Sequence, residues 1–207
     1  MSETLIIYSR YPESGKTKTR MIPVLGKEGA AELQRKMSEH TLNTARKLKS
    51  MRQVVIEVHF AGGNKQLMSD WLGKDLEYIP QVSGDLGDRM NWSFQRAFNS
   101  DQKRVVTIGI DCPDLDLEIL NLAFDSLRSQ ELAIGVAEDG GYYLIGLNQI
   151  VPPLFQNINW GSDRVLAQTK AIAQQLNLNT TYLTTLSDVD RPEDLPIWQK
   201  HYYSNFN

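Results

Sequence analysis

Cysteine is almost missing from the 207 residues. Cys112 stands alone, so no disulfide can close within the chain, which fits a reducing compartment. Histidine is nearly as scarce: His40, His59 and His201 lie far apart, without metal-ligand spacing and without a cysteine partner. His40 falls on an expected helix and reads as a surface or cap residue. No apolar run approaches the roughly 20 residues that a membrane span requires. No signal-peptide pattern opens the chain, so a cytoplasmic protein with no membrane span is expected. Basic residues are not in excess either. Lys and Arg number 22 against 25 Asp and Glu, a formal net charge of −3, so the overall field does not favour nucleic acid. Linkers, repeats and low-complexity tracts are absent too.

What is there is a globular composition, 41% hydrophobic and 23% charged. A domain of this length buries roughly 70% of its unfolded surface and needs no covalent staple. One domain over residues 1–207 is expected.

Apolar and β-branched runs alternate with helical patterns. Strands are expected at Leu5–Tyr8, Val54–Phe60, Leu76–Val82 (weakened by Pro80), Val105–Ile110, Leu132–Val136, Tyr142–Leu147 and Thr181–Leu186. Helices are expected at Lys27–Met51, Lys65–Leu72, Leu86–Phe98, Leu117–Leu127 and Arg164–Leu176, with a short one opened by Pro192. That alternation implies a three-layer α/β/α sandwich around a mainly parallel sheet. In such sheets ligands bind outside the carboxyl ends of the strands, which directs attention to the loops there.

The first loop, Ser9 to Arg20, carries Arg10, Lys16, Lys18 and Arg20 with Gly15 among them. Its cations suit a diphosphate, and Gly15 permits close backbone approach. If the segment is extended, Lys16, Lys18 and Arg20 fall on one side. Gly15-Lys16-Thr17 imitates the end of a P-loop, but Arg10 stands where that motif needs glycine. A solvated basic loop is the plain alternative.

The second loop runs from Gln81 through Gly84, Asp85 and Gly87. It reads either as a wall for a base or ribose, or as a helix start capped by Asp85. The third, Gly109 to Asp114, sets Asp111 where a buried strand meets the ligand edge. A carboxylate there needs compensation, which Mg²⁺ or Mn²⁺ would supply. Cys112 beside it reads as a small buried thiol. The fourth, Glu138 to Tyr143, reads as a tight hairpin turn or as a site in which Asp139 is a general base and Gly140 and Gly141 allow close approach. In the last, Asp188 and Asp190 alternate, so one of them is expected to join Asp111 on the metal while the other caps or packs. Trp160 lies in an expected loop, where it stacks on an acceptor or packs in the core.

Taken together and in order, Gly15-Lys16-Thr17-Lys18-Thr19-Arg20, Gly84-Asp85-Leu86-Gly87-Asp88-Arg89-Met90, Gly109-Ile110-Asp111-Cys112-Pro113-Asp114-Leu115 and Glu138-Asp139-Gly140-Gly141-Tyr142-Tyr143-Leu144 resemble the nucleotide-diphospho-sugar transferase superfamily with the glycosyltransferase-A fold. More narrowly, they resemble small bacterial glycosyltransferase-like proteins related to 2-phospho-lactate guanylyltransferase, some labelled arsenosugar-biosynthesis glycosyltransferases. The resemblance implies that Arg10, Gly15, Lys18 and Arg20 hold nucleotide phosphates and that Asp111 is the metal carboxylate. The usual Asp-x-Asp is not complete, since the next acid after Asp111 is Asp114. Related nucleotidyltransferases use the aspartate before an Arg-Pro-Glu-Asp segment, which is Asp190. The implied reaction is glycosyl transfer from a nucleotide sugar to a small hydroxyl acceptor. Nucleotidyl transfer from a nucleoside triphosphate, or nucleotide binding without catalysis, are the alternatives.

Overall fold

Alternate residues of the apolar runs face opposite sides of one seven-stranded sheet. In the computed structural model, which describes residues 2–204, the strands are β1 (Glu3–Arg10), β2 (Val54–Ala61), β3 (Glu77–Pro80), β4 (Arg104–Ile108), β5 (Leu132–Ala137), β6 (Tyr142–Leu147) and β7 (Thr180–Leu186). The helices are α1 (Ile22–Met51), α2 (Lys65–Leu72), α3 (Leu86–Asn99), α4 (Leu117–Ser126), α5 (Val165–Gln175) and α6 (Leu195–Ser204). Leu5 and Ile7 pack into one buried cluster with residues of α1, α2 and α4, while Ile6 enters the other with residues of α3 and α5. Strands covered on both faces in this way read as continuous apolar runs, which is why Leu5-Ile6-Ile7 is legible as a central strand. Phe94 and Phe124 are completely buried, one on each side. Truncating either to alanine would cost about 3–5 kcal/mol.

The strand order is β3-β2-β1-β4-β6-β5-β7. Neighbours pair in parallel except around β6, which runs antiparallel to both β4 and β5. Six carboxyl ends and the start of β6 therefore lie along one edge. β3 is an edge strand of four residues ending at Pro80. A residue without an N–H is tolerated there, and pairing stops sooner than the expected Leu76–Val82.

Helix α1 begins before the expected Lys27. Pro23 lies in its first turn, and Gly26, at φ 70° and ψ 174°, kinks it just before Lys27. Two 3-10 turns, Thr19–Met21 and Pro152–Phe155, carry no clear periodic signal in the sequence. Among the described residues, no helix is long and apolar enough to cross a membrane.

Candidate active site

The loops after β1, β3, β4, β5 and β7 meet at the carboxyl edge and enclose two adjoining clefts. The first, of about 540 Å³, is lined by Arg10, Lys16, Lys18, Arg20 and Arg89, with Tyr8, Gln81, Asp111 and Asp190 among the remainder. The second, of about 450 Å³, is lined by Asp139, Asp188, Tyr142, Tyr143, Trp160 and Gly141. Arg20, Leu86, Asp111 and Asp190 border both. The first thus carries five cations against two carboxylates, and the second carries four carboxylates against one cation.

The loop after β1 is not extended, contrary to the alternation argument for Lys16, Lys18 and Arg20. The Lys16 N–H donates to the Glu13 carbonyl at 3.0 Å, and Thr17 is buried. Lys18 takes left-handed backbone angles, φ 45° and ψ 44°. The turn nevertheless delivers all three side chains to the first cleft. Lys18 goes deepest. Its ammonium is 2.6 Å from Asp111 Oδ1, donates to the Val189 carbonyl, and lies 3.9 Å from Asp190 Oδ1. Arg20 pairs with Asp190 from the open side. Lys16 pairs with Glu13 at 2.6 Å. Gly15, at φ 75°, serves the turn rather than the cleft surface.

Asp188 and Asp190 both line the second cleft, so the reading that only one could face it is corrected. Residues two apart share a side of an extended chain, and it is Val189 between them that turns inward. Val189 is fully buried, and its N–H donates to the Asp111 carbonyl at 2.8 Å. Burial, and after it Asp139, Asp111 and Asp190, push the Asp188 carboxyl above its ordinary value.

The loop before α3 takes the second of its two readings, a helix start capped by Asp85. Asp85 and Asp88 form a reciprocal cap, with the Asp88 N–H 2.9 Å from Asp85 Oδ1 and the Asp85 N–H 3.1 Å from Asp88 Oδ2. A side chain at Gly84 would strike Asp88, and one at Gly87 would come within 2.3 Å of the Phe155 carbonyl and 2.7 Å of the Trp160 indole. Gly84, Asp85 and Gly87 therefore build the helix start and its packing; none of them lines the first cleft. Gln81 does line it, with its amide donating to the His59 carbonyl at 2.9 Å and its oxygen 3.3 Å from Arg89.

The loop after β5 takes the hairpin form and also reaches the second cleft. It is a hairpin turn in which Asp139 Oδ1 accepts from the Gly141 N–H at 2.8 Å, and Asp139 still borders the second cleft. Gly140 is required by its neighbour rather than by an acceptor: a side chain there would lie 2.3 Å from the Asp163 carbonyl. Trp160 meets Tyr142 edge-on, at 6.4 Å between ring centroids, in the wall of the second cleft.

Tyr8, Leu86 and Arg89 are lining residues to which sequence reasoning gave no role. Tyr8 shares a strand face with Arg10 by period two, and Arg89 lies in the first turn of a helix whose start points at the cleft; those were the available signals. Under the first cleft, the Tyr8 hydroxyl meets Ser93 at 2.6 Å, and Ser93 meets His59 Nδ1 at 2.7 Å. His59 Nε2 lies 2.9 Å from Glu57, which also takes Arg96. Burial pushes the Tyr8 hydroxyl up to about 12. Burial raises the Cys112 thiol as well, in keeping with an inert packed sulfur. His40 is not a plain surface residue: its Nε2 meets the Pro113 carbonyl at 2.9 Å, and its ring packs on Trp198 of α6.

Among the described residues, no group of three or more His, Cys, Asp and Glu could hold a metal ion by itself. Asp111 and Asp190, which approach a common cation, offer hard carboxylate oxygens. That donor set fits Mg²⁺ or Mn²⁺, ions commonly bound through one or two carboxylates plus phosphate oxygens.

No functionally curated protein matches the sequence. A protein from Desulfovibrio desulfuricans G20, provisionally described as a nucleotide-diphospho-sugar transferase, is 32% identical, with a TM-score of 0.86 over 92% of this chain and 84% of its own. The 4-diphosphocytidyl-2C-methyl-D-erythritol synthase of Anaerococcus prevotii shares the fold at 13% identity, with a TM-score of 0.63 and 98% of both chains covered. So does Rv0371c of Mycobacterium tuberculosis, solved with manganese, at 13% identity and a TM-score of 0.56 over 94% of this chain and 96% of its own. Residues 44–162 match the model of a family described as an uncharacterized protein conserved in bacteria, DUF2064. The chain belongs to that family and has the nucleotide-diphospho-sugar transferase fold.

Proposed function

We propose that this protein is a divalent-metal-dependent glycosyltransferase. It moves a sugar from a nucleotide diphosphate sugar to a small hydroxyl acceptor, acting as one cytoplasmic domain. The observation that carries this reading is the division of charge between the joined clefts, cationic on one side and acidic and aromatic on the other. The diphosphate suits the cationic side, where Arg10, Lys18 and Arg20 meet its oxygens and Gln81 faces the base. Mg²⁺ or Mn²⁺ held by Asp111 and Asp190 would supply electrostatic stabilisation of the departing diphosphate. Lys18 and Arg20 add fixed positive charge at the same oxygens. Asp139 Oδ1 is occupied by the Gly141 N–H, which leaves Oδ2 to take the proton of the acceptor hydroxyl. Trp160 and Tyr142 offer apolar faces to the acceptor, and Gly141 lets it approach the backbone. Asp139 and Asp188, the acceptor-side carboxylates outside the metal, disfavour a phosphorylated acceptor and tolerate a neutral one.

Incubation with nucleotide sugars and Mn²⁺ should release nucleoside diphosphate slowly even without an acceptor. Binding of nucleoside triphosphates alone would refute the proposal. Nucleotidyl transfer is the second reading, favoured by the approach of both Asp111 and Asp190 to Lys18. Pyrophosphate as the product, in place of nucleoside diphosphate, would identify it.

A further inference from the structure

The position of Lys18 suggests a second role beyond phosphate binding. Its backbone is left-handed, a conformation that residues with a side chain rarely adopt. Its side chain is only 5% exposed, whereas that of Arg20 is 62% exposed. The ammonium is surrounded by Asp111 Oδ1 at 2.6 Å, the Val189 carbonyl at 2.5 Å and Asp190 Oδ1 at 3.9 Å. Two carboxylates and a carbonyl are the oxygen types that bind a hard divalent ion. Asp139 and Asp188 stand in the neighbouring cleft wall, so the negative charge here exceeds what Arg20 alone can offset.

We propose that Lys18 is an internal counterion occupying the divalent-cation position, so that ammonium and metal exclude one another from Asp111 and Asp190. The inference rests on the reading that these two carboxylates take the ion. With no nucleotide bound, the protein then holds the metal weakly. A diphosphate gives the ammonium a new anionic partner, and its rotation frees the carboxylate oxygens. Metal and nucleotide therefore bind with positive coupling, each strengthening the other by the same factor.

The test is Mn²⁺ titration of the full chain, followed by the electron paramagnetic resonance of the free ion. Wild-type protein is compared with Lys18→Met and Asp111→Asn, each with and without a panel of UDP, CDP, GDP and ADP. Removing a charge this close should tighten nucleotide-free Mn²⁺ binding in Lys18→Met by about tenfold or more. Wild-type protein should reach comparable affinity only with a nucleotide, and Asp111→Asn should bind weakly throughout. Should Lys18→Met fail to fold, Lys18→Gln retains a donor for the Val189 carbonyl and takes its place. The variant's melting temperature should then rise more with Mn²⁺ than that of the wild type. Wild-type Mn²⁺ binding that needs nucleotide, beside a Lys18 variant with no gain, overturns the counterion. Absence of Mn²⁺ binding in every form, or wild-type binding by Asp111→Asn, overturns the underlying metal site and the counterion with it.

Discussion

Asp139→Asn separates the two roles that the turn after β5 could have. The asparagine oxygen can still accept from the Gly141 N–H, now 2.8 Å from Asp139 Oδ1, and asparagine is at home in turns. The hairpin should survive, with a stability change within about 0.5 kcal/mol. For a chain of this length that moves Tm by less than about 2 °C. A small gain at neutral pH is even expected. Asp188 is raised above 3.8 partly by Asp139, so the folded state binds more protons than the unfolded one. Stability is then lost as pH rises from the unfolded value through the folded one. Removing Asp139 narrows that window, and the variant should compare better with wild type at pH 7 than at pH 3. Acceptor-dependent turnover, by contrast, should fall by about 10²–10⁴-fold with loss of the base, while donor affinity holds. The assay is release of nucleoside diphosphate with and without acceptor, beside a thermal melt. An unchanged melt with turnover within a few-fold of wild type would leave Asp139 a turn residue and nothing more.

Gly140→Ala should cost about 2–5 kcal/mol, from a left-handed φ of 89° and from collision with the Asp163 carbonyl, and a denaturant titration reads it directly. Trp160→Ala should raise the acceptor KM by about two- to tenfold, matching the loss of an aromatic contact worth about 0.5–1.5 kcal/mol, and leave donor affinity unaltered in a competition assay. At the far end of the sheet Glu3 is buried between Arg52 and Arg104. Burial raises its carboxyl, but the hydrogen bonds and charges of the two arginines outweigh this and hold it below 4.5. The stability it contributes is present above that value and lost as pH falls through the folded one. Glu3→Gln should therefore cost about 3–5 kcal/mol at pH 7 and progressively less as pH falls below 4.5, measured as urea midpoints.

The strands and helices were legible because burial on both faces leaves unbroken apolar runs, and amphipathic helices leave a period of three to four. The loops that border the clefts were legible for the same reason, since a parallel sheet sends its carboxyl ends to one edge. Contacts across that edge were not. Lys18 and Asp111 are 93 residues apart, and Arg20 and Asp190 are 170 apart, so no local pattern encodes their pairing. Glycine and aspartate left a second ambiguity. Gly84, Asp85 and Gly87 satisfy a ligand wall and a capped helix equally well on paper, and only the reciprocal bonds with Asp88 decide in favour of the cap. The Asp188 and Asp190 misreading came from treating residues two apart as opposed, when the buried Val189 sends both outward.

The four residues shared by the two clefts set a rule for redesign. Exchanging Arg20, Leu86, Asp111 or Asp190 disturbs both halves of the site at once, so double substitutions that include one of them should not sum. Trp160 and Tyr142 touch only the acidic half. A search for variants that accept a new hydroxyl compound should start with that pair, where the donor side is left alone.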